Sequence, residues 1–192
     1  MIPKIDSEIG ISVYTTKFPG CGGAIKKQND DFVVSEVITE KAHSRICSDS
    51  GYAVYKLKKN GIDTTHALGK IFKKHGLRLK ALGLKDASAV TEQFVFATSK
   101  TKHNFEVSEP RYSLKKIGFT DKPLSKKEMV GNHFQIKIDG ASDTASQFEE
   151  HDRILNFYGY QRFGSTRPIS HLIGKSLLQK NYLNTIQILL SY

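Results

Sequence analysis

Leu82–Phe96 reads LGLKDASAVTEQFVF, and the fold depends on how this stretch is parsed. Its end, QFVF with Ala97 following, is apolar on both faces, which is the pattern of a strand inside a sheet. We read strands over Leu79–Leu84 and Glu92–Thr98. Between them stands Asp86, with Lys85 before it and a Ser, a Thr and a Gln soon after. A carboxylate in such a connection usually serves the turn by bonding its own backbone. The alternative is the working acid of an active site, and the residues around it have to decide.

Outward from this stretch the periodicity is legible. DFVVSEV (Asp31–Val37) alternates as a strand, and GYAVYKLKKNG (Gly51–Gly61) follows with Ala53, Tyr55 and Leu57 on one face and a basic end. DTTHALGKIFKKHG is the clearest helix. Asp63 or Thr64 can cap it, Leu68, Ile71 and Phe72 recur at helical spacing, and Gly76 is placed to stop it. In HFQIKI (His133–Ile138) the alternation predicts Phe134, Ile136 and Ile138 facing inward. Ser142–Leu155 reads as a helix, RPISHLIGKSLLQKN opens another, and Tyr182–Leu190 is a third. Leu183, Ile186, Leu189 and Leu190 give that last helix an apolar face that needs a cover: either an oligomer supplies it or the polypeptide is a fragment, and a fragment is the expectation.

Composition narrows the class. The 192 residues carry 29 Lys plus Arg against 19 Asp plus Glu, a net charge of +10, with 11 Phe and 8 Tyr. Aromatic content of this kind suits a packed globular domain, and the basic balance suits a polyanionic partner, chiefly nucleic acid, or an anionic membrane surface, or else no more than a lysine-rich solvated surface. No run is apolar enough to span a bilayer, and the N-terminus lacks the layout of a signal peptide. Cys21 and Cys47 lack metal-ligand spacing and the seven His are scattered. The expectation is a cytoplasmic protein with free thiols, no metal and no membrane association. FPGCGGAIKK (Phe18–Lys27) reads as a turn-rich entry; no strand–glycine–helix context supports a phosphate cradle there.

A second cluster weighs on Asp86. NFYGYQRFGSTRP (Asn156–Pro168) gathers four aromatics, two glycines, an amide pair and two arginines in one loop. An unstacked base needs a π-face beneath it, amides for its edge and guanidinium for its phosphate. A buried aromatic corner held by Arg stacking would use the same residues.

These stretches together carry a resemblance. GLKDASAVTEQFV resembles the motif of the TruD family of tRNA pseudouridine synthases, in which the Asp is catalytic. AIKKQNDDFVVSE is similar to that family's Lys…Asp-Phe-x-Val-x-Glu segment, VGNHFQIKI to its Gly-Asn-x-Phe strand, and NFYGYQRFGSTRPISHLIGK to its Asn-Tyr-Phe-Gly-x-Gln-Arg-Phe-Gly loop. The Ser-Thr-Arg-Pro continuation resembles archaeal members most. Phe157 and Tyr158 exchange the usual Tyr-Phe order, Ser88 stands where a His is common, and Lys127 and Glu128 replace small or apolar residues.

The resemblance implies Asp86 as the essential carboxylate, either nucleophile at C1′ or base on the ribose. It implies Lys26, Asn156, Tyr158 and Phe157 on the substrate side, with Tyr158 stacking on the base. A nearby cation would keep the Asp86 carboxylate charged, and Lys26 is the candidate for it. Lys85, if its segment is extended, points the other way. It further implies tRNA as partner, a uridine converted to pseudouridine, and no cofactor. The expected organisation is a lead-in over 1–22, the N-terminal half of a catalytic domain over 23–165, and the start of an insertion domain over 166–192. The expected fold is α+β: a mostly antiparallel mixed sheet, helices packed on one side, and a basic cleft holding Asp86 and the 156–163 loop. A basic RNA-binding fragment without catalysis is the competing reading.

Overall fold

The computed structural model describes residues 2–14, 16–46, 49–100, 105–150, 153, 155, 158–164 and 166–191, with side chains left out at 149 and 150. Two compact units emerge: Gly22–Ser142, and Met1–Cys21 with Asp143–Tyr192. The strands are β1 (Phe32–Ile38), β2 (Tyr52–Asn60), β3 (Leu79–Ala81), β4 (Val90–Ala97), β5 (Val107–Glu109), β6 (Tyr112–Thr120) and β7 (Met129–Ile136). The α-helices are α1 (Lys4–Glu8), α2 (Glu40–Ser44), α3 (Thr64–His75), α4 (Ser170–Leu178) and α5 (Tyr182–Ser191).

All seven strands lie in Gly22–Ser142 and form one sheet, ordered β5-β6-β2-β4-β1-β7, with β3 also on β4. Every pairing is antiparallel except β1 with β4. This is the expected mostly antiparallel α+β architecture, with one correction: helices pack on both faces rather than one, α3 on the face of Val95 and Ala97 and α2 on the face of Phe94 and Phe96. β4 runs through the middle, and Gln93–Ala97 is buried on both faces as its apolar run requires. Val95 and Ala97 meet Ala53, Tyr55, Leu57 and Leu114 from the sheet and Ala67 and Ile71 from α3. Phe94 and Phe96 meet Ile38, Val54, Leu82 and Leu124, with Ala42 from α2. A fully buried Leu or Ile contributes about 1.5–3 kcal/mol, so Leu57 and Ile71 alone go far toward anchoring α3 on the sheet.

Asp63 caps α3 by accepting from the His66 N–H at 2.9 Å, and Gly76, at φ +68°, closes it with its N–H on the Phe72 carbonyl. The buried stripe is Thr64, Ala67 and Ile71, with Leu68 partly buried. Phe72, expected inward, is exposed, and the Arg78 guanidinium lies 4.7 Å from its ring centroid. Thr64, at the head of the buried stripe, bonds the Lys85 backbone.

Three other expectations are corrected. β3 ends at Ala81 rather than Leu84, since Leu82 turns into the core, Leu84 is 77% exposed, and the Gly83 carbonyl takes a hydrogen bond from the Gln93 side chain. Phe134, Ile136 and Ile138 are exposed rather than inward. β7 is an edge strand held by β1, so alternation did not mean a covered face; Phe134 rests edge-on against Phe32 at 5.9 Å. Asp143–Glu150 winds as a 3₁₀ helix rather than an α-helix, with the Ser146 hydroxyl donating back to the Asp143 carbonyl at 3.0 Å, a local bond that competes with the α ladder.

In the second unit α4 and α5 form where the sequence predicts them. Ser176 donates to the Asn181 carbonyl at 2.8 Å, and the Asn181 side chain accepts from the Asn184 N–H at 3.1 Å. Leu183, Ile186, Leu189 and Leu190 are exposed within this unit. No helix among the described residues is long and apolar enough to cross a membrane.

Candidate active site

The loop from Gly83 to Asp86 is gripped by three separate polar anchors. The first is an ion pair: Lys85 Nζ donates to Glu36 Oε1 at 2.8 Å, with side chains 6% and 0% exposed. Glu36 Oε2 accepts from the Phe94 N–H at 3.0 Å, so both carboxylate oxygens have donors. Burying two charges is costly unless they pair closely and their remaining valences are filled; here the pair is close and both Glu36 oxygens have donors, while Glu36 is the one hydrogen-bond partner of the Lys85 ammonium among the described residues. Gly83 lies over this pair: a Cβ added there would come within 3.2 Å of Lys85 Nζ and 3.5 Å of Glu36 Oε1.

The second anchor is the start of α3 together with β4. The Lys85 N–H donates to Thr64 Oγ1 at 2.9 Å, and the Lys85 carbonyl accepts from the Thr64 N–H at 3.3 Å. Thr64 Oγ1 lies 2.8 Å from Gln93 Oε1, while Gln93 Nε2 donates to the Gly83 carbonyl at 2.9 Å. The third is Lys59, 1% exposed at the end of β2. Its Nζ donates to the carbonyls of Ile62 at 2.8 Å, Lys85 at 3.1 Å and Asp86 at 2.7 Å. Burial pushes the Lys59 ammonium down to about 8, against the pull of Asp63 and Asp86.

Held this way, Asp86 is exposed, and its carboxylate has no hydrogen bond or ion pair among the described residues. It does not act as the turn-former that its setting suggested. Lys26 sits at φ +58° with its Nζ 4.0 Å from the Phe32 ring centroid. Among the described residues no ion pair joins it to Asp86, whose charge favours the Lys59 ammonium. Lys85 points away from Asp86 into the sheet, as its parity predicts.

In the other unit, a cavity of about 750 Å³ is lined by Asp6, Tyr14, Phe18, Tyr158 and Tyr160, among others. Asp6 is buried and accepts from the hydroxyls of Tyr14 and Tyr160, which hold its carboxyl below the usual range and push the Tyr14 phenol up to about 12. The 3₁₀ turn Tyr160–Arg162 and Gly164, at φ +107° with its N–H on the Tyr160 carbonyl, close the aromatic loop. Tyr158 is 71% exposed, and the Arg162 guanidinium lies 6.0 Å from its ring centroid. The Tyr158 ring is therefore largely open to solvent. Asn156 and Phe157 lie outside the described residues.

A sequence profile described as tRNA pseudouridine synthase D (TruD) matches residues 8–192. The chain belongs to the TruD family. Curated proteins named tRNA pseudouridine synthase D are 30% identical in Methanococcoides burtonii, over 94% of this chain and 44% of that relative, and 31% identical in Saccharolobus solfataricus, over 98% and 52%. A crystal structure described as tRNA pseudouridine synthase D from Methanosarcina mazei superposes with a TM-score of 0.78 at 25% identity, covering 96% of this chain and 45% of that one. The chain thus spans about half the length, or less, of the TruD relatives it matches.

Lys59 carries no motif in the sequence, and Glu36 enters only as the last residue of the TruD-like segment Ala24–Glu36. Both betray themselves by parity. Lys59 continues the buried series Ala53, Tyr55, Leu57 at the same spacing, and Glu36 stands between Val34 and Ile38, both buried. A charge on the inward face of a strand needs partners, and here the partners are the Asp86 loop.

Proposed function

We propose that this chain isomerises a uridine of tRNA to pseudouridine, with Asp86 as the working carboxylate. The observation that carries the reading is the exposed, unpartnered Asp86 side chain on a backbone clamped by Lys59, Thr64, Gln93 and the Lys85–Glu36 pair. A fold that spends four buried polar side chains on one short loop is preorganising it, and preorganisation is what positional catalysis requires.

The reaction breaks N1–C1′, turns the freed uracil and joins C5 to C1′, with the C5 proton leaving to water and N1 taking up a proton from water in its place. Reactant and product are isomers, so no redox partner or group donor enters the balance. Extruding the base costs a few kcal/mol. Stacking on Tyr158 offsets roughly 1–3 kcal/mol of that. Asn156 hydrogen-bonds the uracil edge and retains the free base, with Phe157 beside it and Lys26 supplying a cation toward the RNA. Asp86 acts as nucleophile at C1′ or as base on the ribose; both roles need its oxygen free, as it is here.

The test is tritium release from tRNA carrying 5-tritiated uridine. Release by the chain supports the reading; tRNA binding without release supports the competing one, a basic RNA-binding piece. In Tyr158→Ala turnover should fall roughly 5- to 150-fold, the rate equivalent of the lost stacking, with tRNA affinity little changed. A wild-type rate in that variant would pass the stacking role to Phe157.

A further inference from the structure

We propose that Lys59 is the positioning residue for Asp86: its ammonium gathers the carbonyls of Ile62, Lys85 and Asp86 and so fixes the backbone from which the Asp86 carboxylate is presented. This assignment rests on the activity proposed above, and one arm of its test does not depend on that activity.

The geometry argues for more than a general fold staple. Burying a lysine costs several kcal/mol unless its hydrogens are satisfied. Lys59 offers three N–H groups and meets three carbonyls at 2.8, 3.1 and 2.7 Å, so the charged form is filled completely. The Ile62 carbonyl belongs to the connection between β2 and α3, the other two to the Asp86 loop. The ammonium therefore ties that loop to the rigid end of the β2–α3 unit. Gly83 and Lys85 have clamps of their own in Gln93, Thr64 and Glu36. The shortest of the three contacts goes to Asp86 itself, whose carbonyl takes no other hydrogen bond among the described contacts. Removing the ammonium should therefore leave the sheet and most of the loop in place while freeing the peptide next to the carboxylate.

Protonation makes the idea separable from packing. A neutral amine has two N–H groups and cannot fill three carbonyls. The charged groups that act on the Lys59 ammonium are Asp63 and Asp86, which favour it, and Lys85, which with burial disfavours it and brings it to about 8. The tether is complete below that pH and incomplete above it.

The experiment compares the unmodified chain with Lys59→Met. Tritium release from tRNA is followed across the neutral to alkaline range, and amide hydrogen exchange is followed at 83–89. In the unmodified chain kcat should fall as pH rises through about 8, the value at which the Lys59 ammonium loses its proton. In a cooperatively melting Lys59→Met chain, kcat should drop about 100-fold, the scale of a misplaced catalytic group, with KM for tRNA little changed and the alkaline limb gone. Exchange at 85–89 should rise about tenfold or more while β2 and β4 stay protected. A folded variant with kcat within about threefold of the unmodified chain, or one whose loss lies in KM, overturns the assignment. If Lys59→Met does not fold, the unmodified chain decides, since a rate flat across pH 8 overturns it. If that chain releases no tritium, the activity reading fails on its own, and unchanged exchange at 85–89 in the variant overturns the positioning role independently.

Discussion

Replacing Asp86 by asparagine should abolish tritium release from 5-tritiated uridine in tRNA while leaving the fold and tRNA affinity nearly intact. The loss should be roughly a thousandfold or more, the scale seen when a nucleophile or its base is removed. Asparagine keeps the shape of the side chain and keeps the backbone carbonyl that Lys59 grips at 2.7 Å. The carboxylate contributes no hydrogen bond or ion pair within the described chain, so its loss leaves no buried group unsatisfied. Surface substitutions of this kind change stability by no more than about 0.5 kcal/mol. The expected signature is thus a collapse of kcat with Kd for tRNA and Tm close to those of the unmodified chain. Turnover within tenfold of the parent would remove Asp86 from the chemistry, because no route from uridine to pseudouridine through this residue survives without its charged oxygen.

Asp86 and its setting show what a single sequence discloses and what it hides. β4 was legible because a run apolar on both faces has few other solutions, and it lies at the centre of the sheet. α3 was legible from its cap and its glycine stop, although its buried stripe is headed by Thr64, which bonds the Lys85 backbone. β7 misled because alternation records what a strand could bury, not whether anything covers it; at the sheet edge Phe134 and Ile136 stay open. For the site, local pattern marks the residue that touches solvent and misses those that hold it. Asp86 stands out in a connection between two strands, where local pattern leaves it open between turn-former and working acid and only the family resemblance favours the second. Lys59 looks like the basic end of a strand, and Glu36 is only the last residue of the TruD-like segment, until their parity is compared with their neighbours. Their partners lie 27 and 49 positions away in the chain, a distance that only the pairing of β1, β2 and β4 closes.

The largest effect on stability should come from breaking the pair beneath the loop. Glu36→Leu leaves the Lys85 ammonium buried and unpaired and the Phe94 N–H without its acceptor. Removing one partner of a buried ion pair costs about 3–5 kcal/mol, a large share of the 5–15 kcal/mol that holds a typical domain folded. Lys85→Met should cost less, because the Glu36 carboxylate keeps the Phe94 donor. In the double variant no charge is left stranded, and the residual cost is the orphaned Phe94 amide at about 1–3 kcal/mol. Urea denaturation of the four chains at equal m-values therefore predicts an order: the Glu36→Leu chain is weakest and the double variant is more stable than it. High salt should leave this coupling standing, since side chains 0% and 6% exposed are little screened. If the two single losses simply add, the pair carries no coupling. The loop would then be held by Lys59, Thr64 and Gln93 alone, and the presentation of Asp86 would rest on the three carbonyls that Lys59 gathers.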